Sequence, residues 1–282
     1  MVHKEQDSTN VGIVFTDLDG TLLNSERKVS ANNLTSLNQL GENGIVRVIA
    51  TGRSHYSFTR VIDASFPADY LIFSSGAGIL DLQSGELLFS ANLTDHDVAD
   101  ITCKLQEEEA DFMVHHQVPD NHHFVYQAAG GGNKDFRHRI DIYRAFAREF
   151  GNGNQFPAPA AQIIAVLEHD TRRFTRLTSC FGQYQVTRTT SPLDHHSMWM
   201  EIHPHNIHKG SAAAWLCNHL DIDPAHSLGI GNDYNDLDLL DFTAQSYLLK
   251  NGPAEIHNRY CLARSNDEDG FCHAVRHGLS IL

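Results

Sequence analysis

Short apolar runs alternate with amphipathic segments in the first part of the chain. The runs Val11–Phe15, Ile45–Ala50 and Asp69–Phe73 contain many β-branched or aromatic residues, which is typical of strands buried on both faces. Between the first two runs, Ser30 is suited to cap a helix that carries a stripe of leucines. Strands that alternate with helices predict parallel pairing through right-handed crossovers, and therefore an α/β fold with a Rossmann-like parallel sheet.

The regular alternation stops near Asp81. From Leu82 to Pro192 the patterns indicate an α+β mixture, with a helix capped by Thr94 and several strands. The run Met198–Ile202 then predicts the return of the parallel core. At 282 residues the chain is long enough for two domains. We therefore predict the first part of a core at residues 1–81, an inserted α+β cap domain at 82–192, and the second part of the core at 193–282.

Composition and charge narrow the possible partners. The chain has 35 acidic and 21 basic residues and a formal net charge of −14, which argues against nonspecific binding to nucleic acid or to anionic membranes. Residues 1–10 lack the apolar core of a signal peptide, and no run approaches the roughly 20 apolar residues of a membrane span. We expect a cytoplasmic protein, and the sequence leaves its oligomeric state open. The five cysteines include no CxxC pair, so they indicate neither a disulfide framework nor a structural zinc site.

Two carboxylates follow the first apolar run. Asp17 and Asp19 are two positions apart, so they share a side if the extended backbone continues. Like charges this close are unfavourable unless a cation lies between them or one of them takes a proton. The carboxyl ends of strands are also where open α/β sheets bind ligands. The pair therefore favours a hard cation, with Mg²⁺ the first expectation, over the alternative of a solvated Asp-Gly turn.

Polar residues also follow the later strands. Thr51 ends the second run, where its hydroxyl could donate to a phosphate oxygen and the free N–H groups of the next helix favour an anion. The alternative is that Thr51 only caps this helix. Lys209 stands at a predicted helix start, which is unfavourable for the helix dipole. We therefore expect it to face an external anion, with a solvated lysine as the alternative.

The string Asp17-Leu18-Asp19-Gly20-Thr21-Leu22 resembles the first motif of the haloacid dehalogenase superfamily of phosphotransferases. This resemblance implies that Asp17 attacks phosphorus to form an aspartyl-phosphate and that Asp19 acts as general acid and base. Thr51 resembles the phosphoryl-binding residue of the second motif. Lys209 resembles the third-motif lysine, which offsets charge on the nucleophile and on the phosphoryl group.

A core interrupted by an α+β insert resembles the Cof-like branch of the superfamily, which carries a large type IIB cap. The resemblance implies that the cap chooses the substrate, and we expect Gly52 to help bind phosphate and Arg53 and Ser75 to contact substrate. Ser75 stands where this branch often has asparagine. A hydroxyl there can still contact phosphate or substrate.

The cluster after the strand at 227–230 resembles the fourth motif but departs from it. When Asn235-Asp236 is aligned with the motif, the first metal-binding aspartate of the family falls on Asn232. Either the amide oxygen of Asn232 ligates the ion or Asp233 reaches it, with Asp236 as a direct or indirect partner. We expect Asp233 to be the ligand. The candidate metal ligands are thus Asp17, Asp19, Asn232, Asp233 and Asp236.

These residues predict a Mg²⁺-dependent phosphatase of small phosphorylated metabolites, most readily of sugar phosphates. One alternative is a phosphosugar mutase, which returns the phosphoryl group to the sugar. Another is a noncatalytic metabolite-binding or regulatory module, which the asparagine at position 232 leaves open.

Overall fold

The computed structural model describes residues 11–130, 132–191, 193–194 and 196–279. The predicted absence of a signal peptide at residues 1–10 and the predicted cap end at residue 192 lie outside these ranges. The strands are, in chain order, β1 (Ile13–Thr16), β2 (Val46–Ala50), β3 (Tyr70–Phe73), β4 (Gly78–Asp81), β5 (Leu87–Ser90), β6 (Phe112–His116), β7 (Phe124–Gln127), β8 (Ala147–Glu149), β9 (Ala160–Leu167), β10 (Gln185–Thr190), β11 (Met198–His203), β12 (Ser227–Gly231), β13 (Gln245–Leu249) and β14 (Cys261–Ala263).

Helices connect most of these strands. They are α1 (Ala31–Glu42), α2 (His55–Thr59), α3 (Asp95–Glu107), α4 (Lys134–Ile142), α5 (Thr171–Cys180), α6 (Lys209–His219), α7 (Leu237–Phe242) and α8 (Gly270–Leu279). Among the helices that the structure describes, none combines the length and apolar character needed to cross a bilayer.

The core domain is built on one mainly parallel sheet. Its strand order is β14-β13-β12-β1-β2-β3-β4-β5, and every pair from β14 to β3 is parallel. Along β1, Ile13 and Phe15 pack into one apolar cluster with α6 and α7, whereas Val14 packs into another with α1 and α8. The central strand is therefore buried on both faces, which confirms the predicted α/β parallel-sheet core.

The cap domain is built on a second sheet. Its strand order is β10-β11-β9-β6-β7-β8, and its pairs are antiparallel except for β7 with β8. Helices α3 and α5 pack on one face, and α4 packs on the other through Phe136. Every residue of β9 is buried. This arrangement is the α+β insert that the sequence predicts.

The pairing of strands changes the assignment of two strands near the predicted boundaries of the cap. Strand β5 pairs with β4 in the core sheet, so the core continues to about Ser90. Strand β11, assigned from sequence to the core, pairs with β9 and β10 in the cap sheet. An apolar run such as Met198–Ile202 suits either sheet, because the local sequence pattern does not reveal which distant strand it will pair with.

Candidate active site

Loops at the carboxyl ends of parallel core strands meet beneath the cap. A cavity of about 750 Å³ lies between the two sheets. Its core wall includes Asp17 after β1, Thr51 after β2 and Asn232 after β12. This is the edge of an open α/β sheet at which ligands bind. The predicted site residues of the three strand ends are therefore brought together.

Lys209 joins two carboxylates at the base of this wall. Its ammonium is fully buried and donates to Asp17 Oδ1 at 2.7 Å and to Asp236 Oδ1 at 2.6 Å. Burial alone would lower the pKa of Lys209, but the charges of Asp17 and Asp236 raise it overall, so the ammonium keeps its proton. Burial raises the pKa of Asp17 to about 7, with a smaller contribution from the charge of Asp236, although Lys209 opposes the change. The anions that Lys209 faces here belong to the protein itself.

Asp236 also shapes the loop after β12. Its second oxygen, Oδ2, accepts hydrogen bonds from the backbone N–H groups of Asn232 at 2.8 Å and Asp233 at 3.0 Å. A Cβ at Gly231 would lie 2.5 Å from Asp236 Cβ, so only glycine admits this side chain. Both oxygens of Asp236 are engaged, one by Lys209 and the other by the loop. Of the two roles predicted for Asp236, direct or indirect partner of the metal ion, the structure favours the indirect one.

Asn232 occupies the place expected of a metal ligand. One atom of its terminal amide lies 3.3 Å from Asp17 Oδ2, 3.1 Å from the backbone oxygen of Asp19 and 2.9 Å from the Thr21 hydroxyl. If that atom is nitrogen, it donates to these oxygens. If it is oxygen, it accepts from Thr21 and faces two further oxygens, which is stable only with a cation among them. The close approach depends on Gly20, where a Cβ would lie 2.7 Å from the Asn232 amide.

This oxygen set fits a magnesium ion. Mg²⁺ prefers hard oxygen ligands such as a carboxylate, a backbone carbonyl and an amide carbonyl. Within the described ranges, no three side chains of the His, Cys, Asp and Glu types are grouped to hold a metal, because the third position here carries an amide.

Asp233, which we expected to be the ligand, lies apart from this set in the structure. Its Oδ2 accepts from the backbone N–H of Thr190 on β10 at 3.0 Å, and its Oδ1 accepts from the Thr190 hydroxyl at 3.2 Å. The backbone at Asp233 is extended, so consecutive side chains diverge. Asn232 therefore turns toward Asp17, and Asp233 turns toward the cap.

Asp19 is held by Arg53. The guanidinium donates to both carboxylate oxygens at 2.6 Å, a two-pronged ion pair. Another nitrogen of Arg53 donates to the Ser57 hydroxyl at 3.0 Å. The side chain of Asp19 remains 37% exposed, so it reaches the cavity. The predicted acid–base residue and a predicted substrate-binding residue thus neutralise each other in this state.

The remaining predicted residues surround Thr51. Thr51 is buried, and its hydroxyl oxygen accepts the backbone N–H of Arg53 at 3.1 Å. A Cβ added at the neighbouring Gly52 would lie 3.4 Å from Ser75 Oγ. Ser75 adopts a left-handed backbone conformation with φ of 54°, and its hydroxyl donates to Glu201 Oε2 at 2.6 Å. Ser75 therefore contacts the cap.

The cap wall contains residues that the sequence analysis missed. Arg139 and Tyr143 come from α4 and its end, and Trp199 and Glu201 come from β11. Burial raises the pKa of Glu201, although the hydrogen bond from Ser75 opposes the change. The sequence did contain a signal for Glu201, because it is the single charged residue in the run Met198–Ile202, and buried acids of this kind require a partner.

A model of the haloacid dehalogenase-like hydrolase family matches residues 14–275. The chain belongs to this family. The match confirms the predicted superfamily and the prediction of a hydrolytic enzyme.

Curated relatives are similar over most of this hydrolase's length. A 5-amino-6-(5-phospho-D-ribitylamino)uracil phosphatase of Bacillus subtilis is 23% identical and aligns with 95% of this chain and 98% of its own. An HMP-PP phosphatase of Serratia proteamaculans is 26% identical over 83% and 82%. A chloroplastic endoribonuclease YBEY of Arabidopsis thaliana is 25% identical over 93% of this chain, which spans only 45% of that longer protein.

Solved structures share the whole architecture of this hydrolase. A phosphatase of the haloalkanoate superfamily from Bacteroides thetaiotaomicron superimposes with a TM-score of 0.80 and 17% identity, covering 100% of this chain and 99% of that one. A subclass IIB sugar phosphatase gives a TM-score of 0.74 and 15% identity, covering 95% and 99%. At these identities the likeness shows the fold, and it confirms the predicted fold class.

Proposed function

We propose that this protein is a Mg²⁺-dependent phosphatase that hydrolyses small phosphorylated metabolites, with sugar phosphates as the expected substrates, through an aspartyl-phosphate. The observation that carries the proposal is the position of Asp17. Its buried carboxylate lies in the wall of a large cavity, between the charge of Lys209 and the oxygen set completed by Asn232. The phosphatase names of relatives that align over nearly the full chain support the same reaction, and the sugar phosphatase of similar fold supports the substrate class.

In the first step, an oxygen of Asp17 bonds to phosphorus while the ester bond to the leaving oxygen breaks. Once Arg53 has left it, Asp19 takes a proton from solvent and gives that proton to the leaving oxygen. In the second step Asp19 takes a proton from water, whose oxygen attacks phosphorus and restores the carboxylate of Asp17. Asp17, Asn232 and the backbone oxygen of Asp19 are the groups that would hold Mg²⁺, and the ion would supply positive charge that lets an anionic ester approach a carboxylate.

The chain's own cations prepare both steps. Lys209 holds Asp17 in place and keeps a positive charge beside the transferred group. Arg53 is paired with Asp19 in this state, so we propose that it moves to the phosphoryl oxygens when substrate arrives and thereby releases Asp19. Phosphoryl transfer depends mainly on such positioning and charge.

The test is release of inorganic phosphate from a panel of phosphorylated metabolites, with Mg²⁺ and with a chelator. We expect turnover only with Mg²⁺, and an acid-stable protein phosphate that hydroxylamine removes. Asp17→Asn should lose both while remaining folded. Asp95→Asn, the same change at an exposed cap position, should lose neither.

The outcomes separate the three readings. Conversion of one phosphosugar isomer into another without phosphate release would replace the proposal by the mutase. No turnover and no protein phosphate, with metabolite binding retained, would favour the noncatalytic module. That alternative has one specific observation in its favour, which is the amide at position 232 in place of a carboxylate.

A further inference from the structure

Arg139 is a cation in the cap wall whose charge no carboxylate neutralises. Its guanidinium packs 4.0 Å from the ring centre of Tyr143 and 5.4 Å from that of Trp199, and it lines the cavity. Its Nε is buried without a hydrogen-bond acceptor. Among the described residues, no carboxylate lies within ion-pair distance of it.

The nearest candidate partner on the same helix is engaged elsewhere. Asp135 lies four residues before Arg139, the spacing at which helical ion pairs usually form. Its side chain instead points inward, where Oδ2 accepts from Trp199 Nε1 at 2.6 Å and Oδ1 accepts from the Ser191 hydroxyl at 2.8 Å. Asp135 thus fixes the indole against which Arg139 packs, and Arg139 is left without its usual partner.

Glu201 does not take the place of Asp135. It shares the cavity with Arg139, but its Oε2 accepts from Ser75 in the core. Arg139 is half-buried, and its buried Nε–H without an acceptor is costly, a cost that aromatic faces offset only in part. The missing partner is therefore an anion that enters the cavity from outside.

The position of Arg139 indicates which part of the substrate carries this anion. Arg53 lies on the core wall of the cavity, beside Asp19 at the expected phosphoryl end. Arg139 and Tyr143 line the cap wall of the same cavity, and Arg139 packs on the Tyr143 ring. A substrate whose phosphoryl group is held by the core wall would therefore present its remaining part to the cap wall.

We propose that Arg139 binds a second anionic group, a carboxylate or a second phosphate, on the leaving group of the substrate. The inference rests on the proposed function and narrows its substrate class. The preferred substrates are phosphorylated sugar acids or bisphosphates rather than monophosphates whose sugar part is uncharged. A planar guanidinium clamped between rings is suited to such a group, because its paired N–H donors match two oxygens.

The test compares substrates that differ only in the second anion. Sorbitol 6-phosphate and 6-phosphogluconate differ by a hydroxymethyl and a carboxylate group, and fructose 6-phosphate and fructose 1,6-bisphosphate test a second phosphate. We expect the wild-type enzyme to prefer the member with the second anionic group in at least one pair. Arg139→Met should lower kcat/KM for that member about 10- to 100-fold, mainly through KM, as for loss of a charged hydrogen bond. The member without a second anionic group should change less than about threefold, within the ordinary spread of a surface substitution.

Two further variants keep the result interpretable. Arg139→Lys retains the charge without the planar fork, so it should recover part of the loss. Arg137→Met removes one positive charge from the same helix at an exposed position outside the cavity, so it should leave both pairs unchanged. Calorimetry measures the same preference without turnover, when 6-phosphogluconate and sorbitol 6-phosphate are each titrated into the Asp17→Asn variant.

Equal effects of Arg139→Met on both members of each pair, or no preference in the wild-type protein, would overturn this inference while phosphate release upheld the proposed function. A different result would overturn the proposed function alone: no turnover, together with a calorimetric preference for 6-phosphogluconate that is lost in Arg139→Met. A preference for only one pair identifies the second anion as carboxylate or phosphate.

Discussion

The two walls of the cavity treat charge differently. On the core wall the two cations nearest Asp17 and Asp19 are paired: Lys209 lies between two carboxylates, and Arg53 lies against Asp19. On the cap wall, Arg139 and Glu201 share the cavity, and the structure shows no ion pair between them. The cations Lys209 and Arg53 of the core wall are thus already paired in the absence of substrate. Arg139 of the cap wall is not, and we expect its partner to be part of the ligand.

The difference corresponds to what each wall must recognise. The phosphoryl group is the same in every substrate, so its charges can be balanced in advance by fixed groups, and such preorganisation is a large source of catalysis. The leaving group varies, and its recognition depends on groups that remain unpaired until the correct ligand fills them. Substitutions on the core wall should therefore change kcat for all substrates, and substitutions on the cap wall should change KM for some.

The largest effect is expected from Asp19→Asn. The amide neither gives nor takes the proton, so kcat should fall about 10² to 10⁴-fold for every alkyl phosphate in the panel. An aryl phosphate with an acidic phenol leaving group needs no proton, and its first step should be slowed far less. Equal losses with both ester types in single-turnover measurements would assign leaving-group protonation to another residue.

A smaller effect, on stability as well as rate, is expected from Lys209→Met. Loss of the ammonium leaves two buried carboxylates facing each other, which should cost about 3 kcal/mol of unfolding free energy. Adding Asp236→Asn should recover part of this loss, because one of the two charges is then gone. Lys250→Met, at an exposed position, is the control. Additive losses in the double variant, measured by denaturant unfolding without Mg²⁺, would mean that the three groups are not coupled.

The metal site should respond to Asn232→Asp. A second carboxylate beside that of Asp17 should tighten the apparent affinity for Mg²⁺ about tenfold, or ~1.4 kcal/mol. Without metal the same change should lower the melting temperature, because two carboxylates then lie together. Asp233→Asn faces Thr190 instead and should leave the midpoint of the Mg²⁺ titration unchanged. If Asp233→Asn shifts the midpoint and Asn232→Asp does not, the original expectation for Asp233 is restored.

The smallest effect concerns the neutral polar groups of the cap. Burial lowers the pKa of His115 to about 3 and of His203 to about 4. From pH 6.5 downward the unfolded chain therefore takes up protons that the folded chain does not, and stability falls until the folded pKa is reached. At pH 5.5 each histidine should cost about 1 kcal/mol relative to pH 7.5. His203→Gln should make the decline shallower, whereas His226→Gln, an exposed control, should not. An unchanged slope in urea unfolding of His203→Gln would contradict the burial argument.

The core wall was largely predictable from sequence because its residues follow strands. A buried apolar run fixes where a strand ends, and parallel strands end at one edge, so Asp17 and Thr51 could be brought together without a structure. Lys209 begins a helix that follows a cap strand, and its place was predicted from its motif instead. What could not be predicted was a single choice of direction. Whether Asn232 or Asp233 turns toward Asp17 depends on the backbone angles of one loop, and the chemical preference for a carboxylate does not reveal those angles.

The cap wall was not predictable for a different reason. Arg139 and Glu201 lie together only because β11 joins the cap sheet next to β9, a pairing between distant segments. The apolar pattern of β11 is equally suited to the core, where the sequence analysis placed it. Likewise, the spacing of Asp135 and Arg139 predicts an ion pair, and only the packing of Trp199 shows that Asp135 is engaged elsewhere.

Asn232 and Asp233 are adjacent in the chain, but their side chains contact different domains. Asp233 holds the backbone of Thr190 in the cap, and its neighbour touches Asp17 and Asp19. We expect that movement of the cap away from the core would break both contacts of Asp233 and release the adjacent amide from its orientation. The loop would then couple the candidate metal site to the cap, so that the site is complete only while the cap is closed over the core.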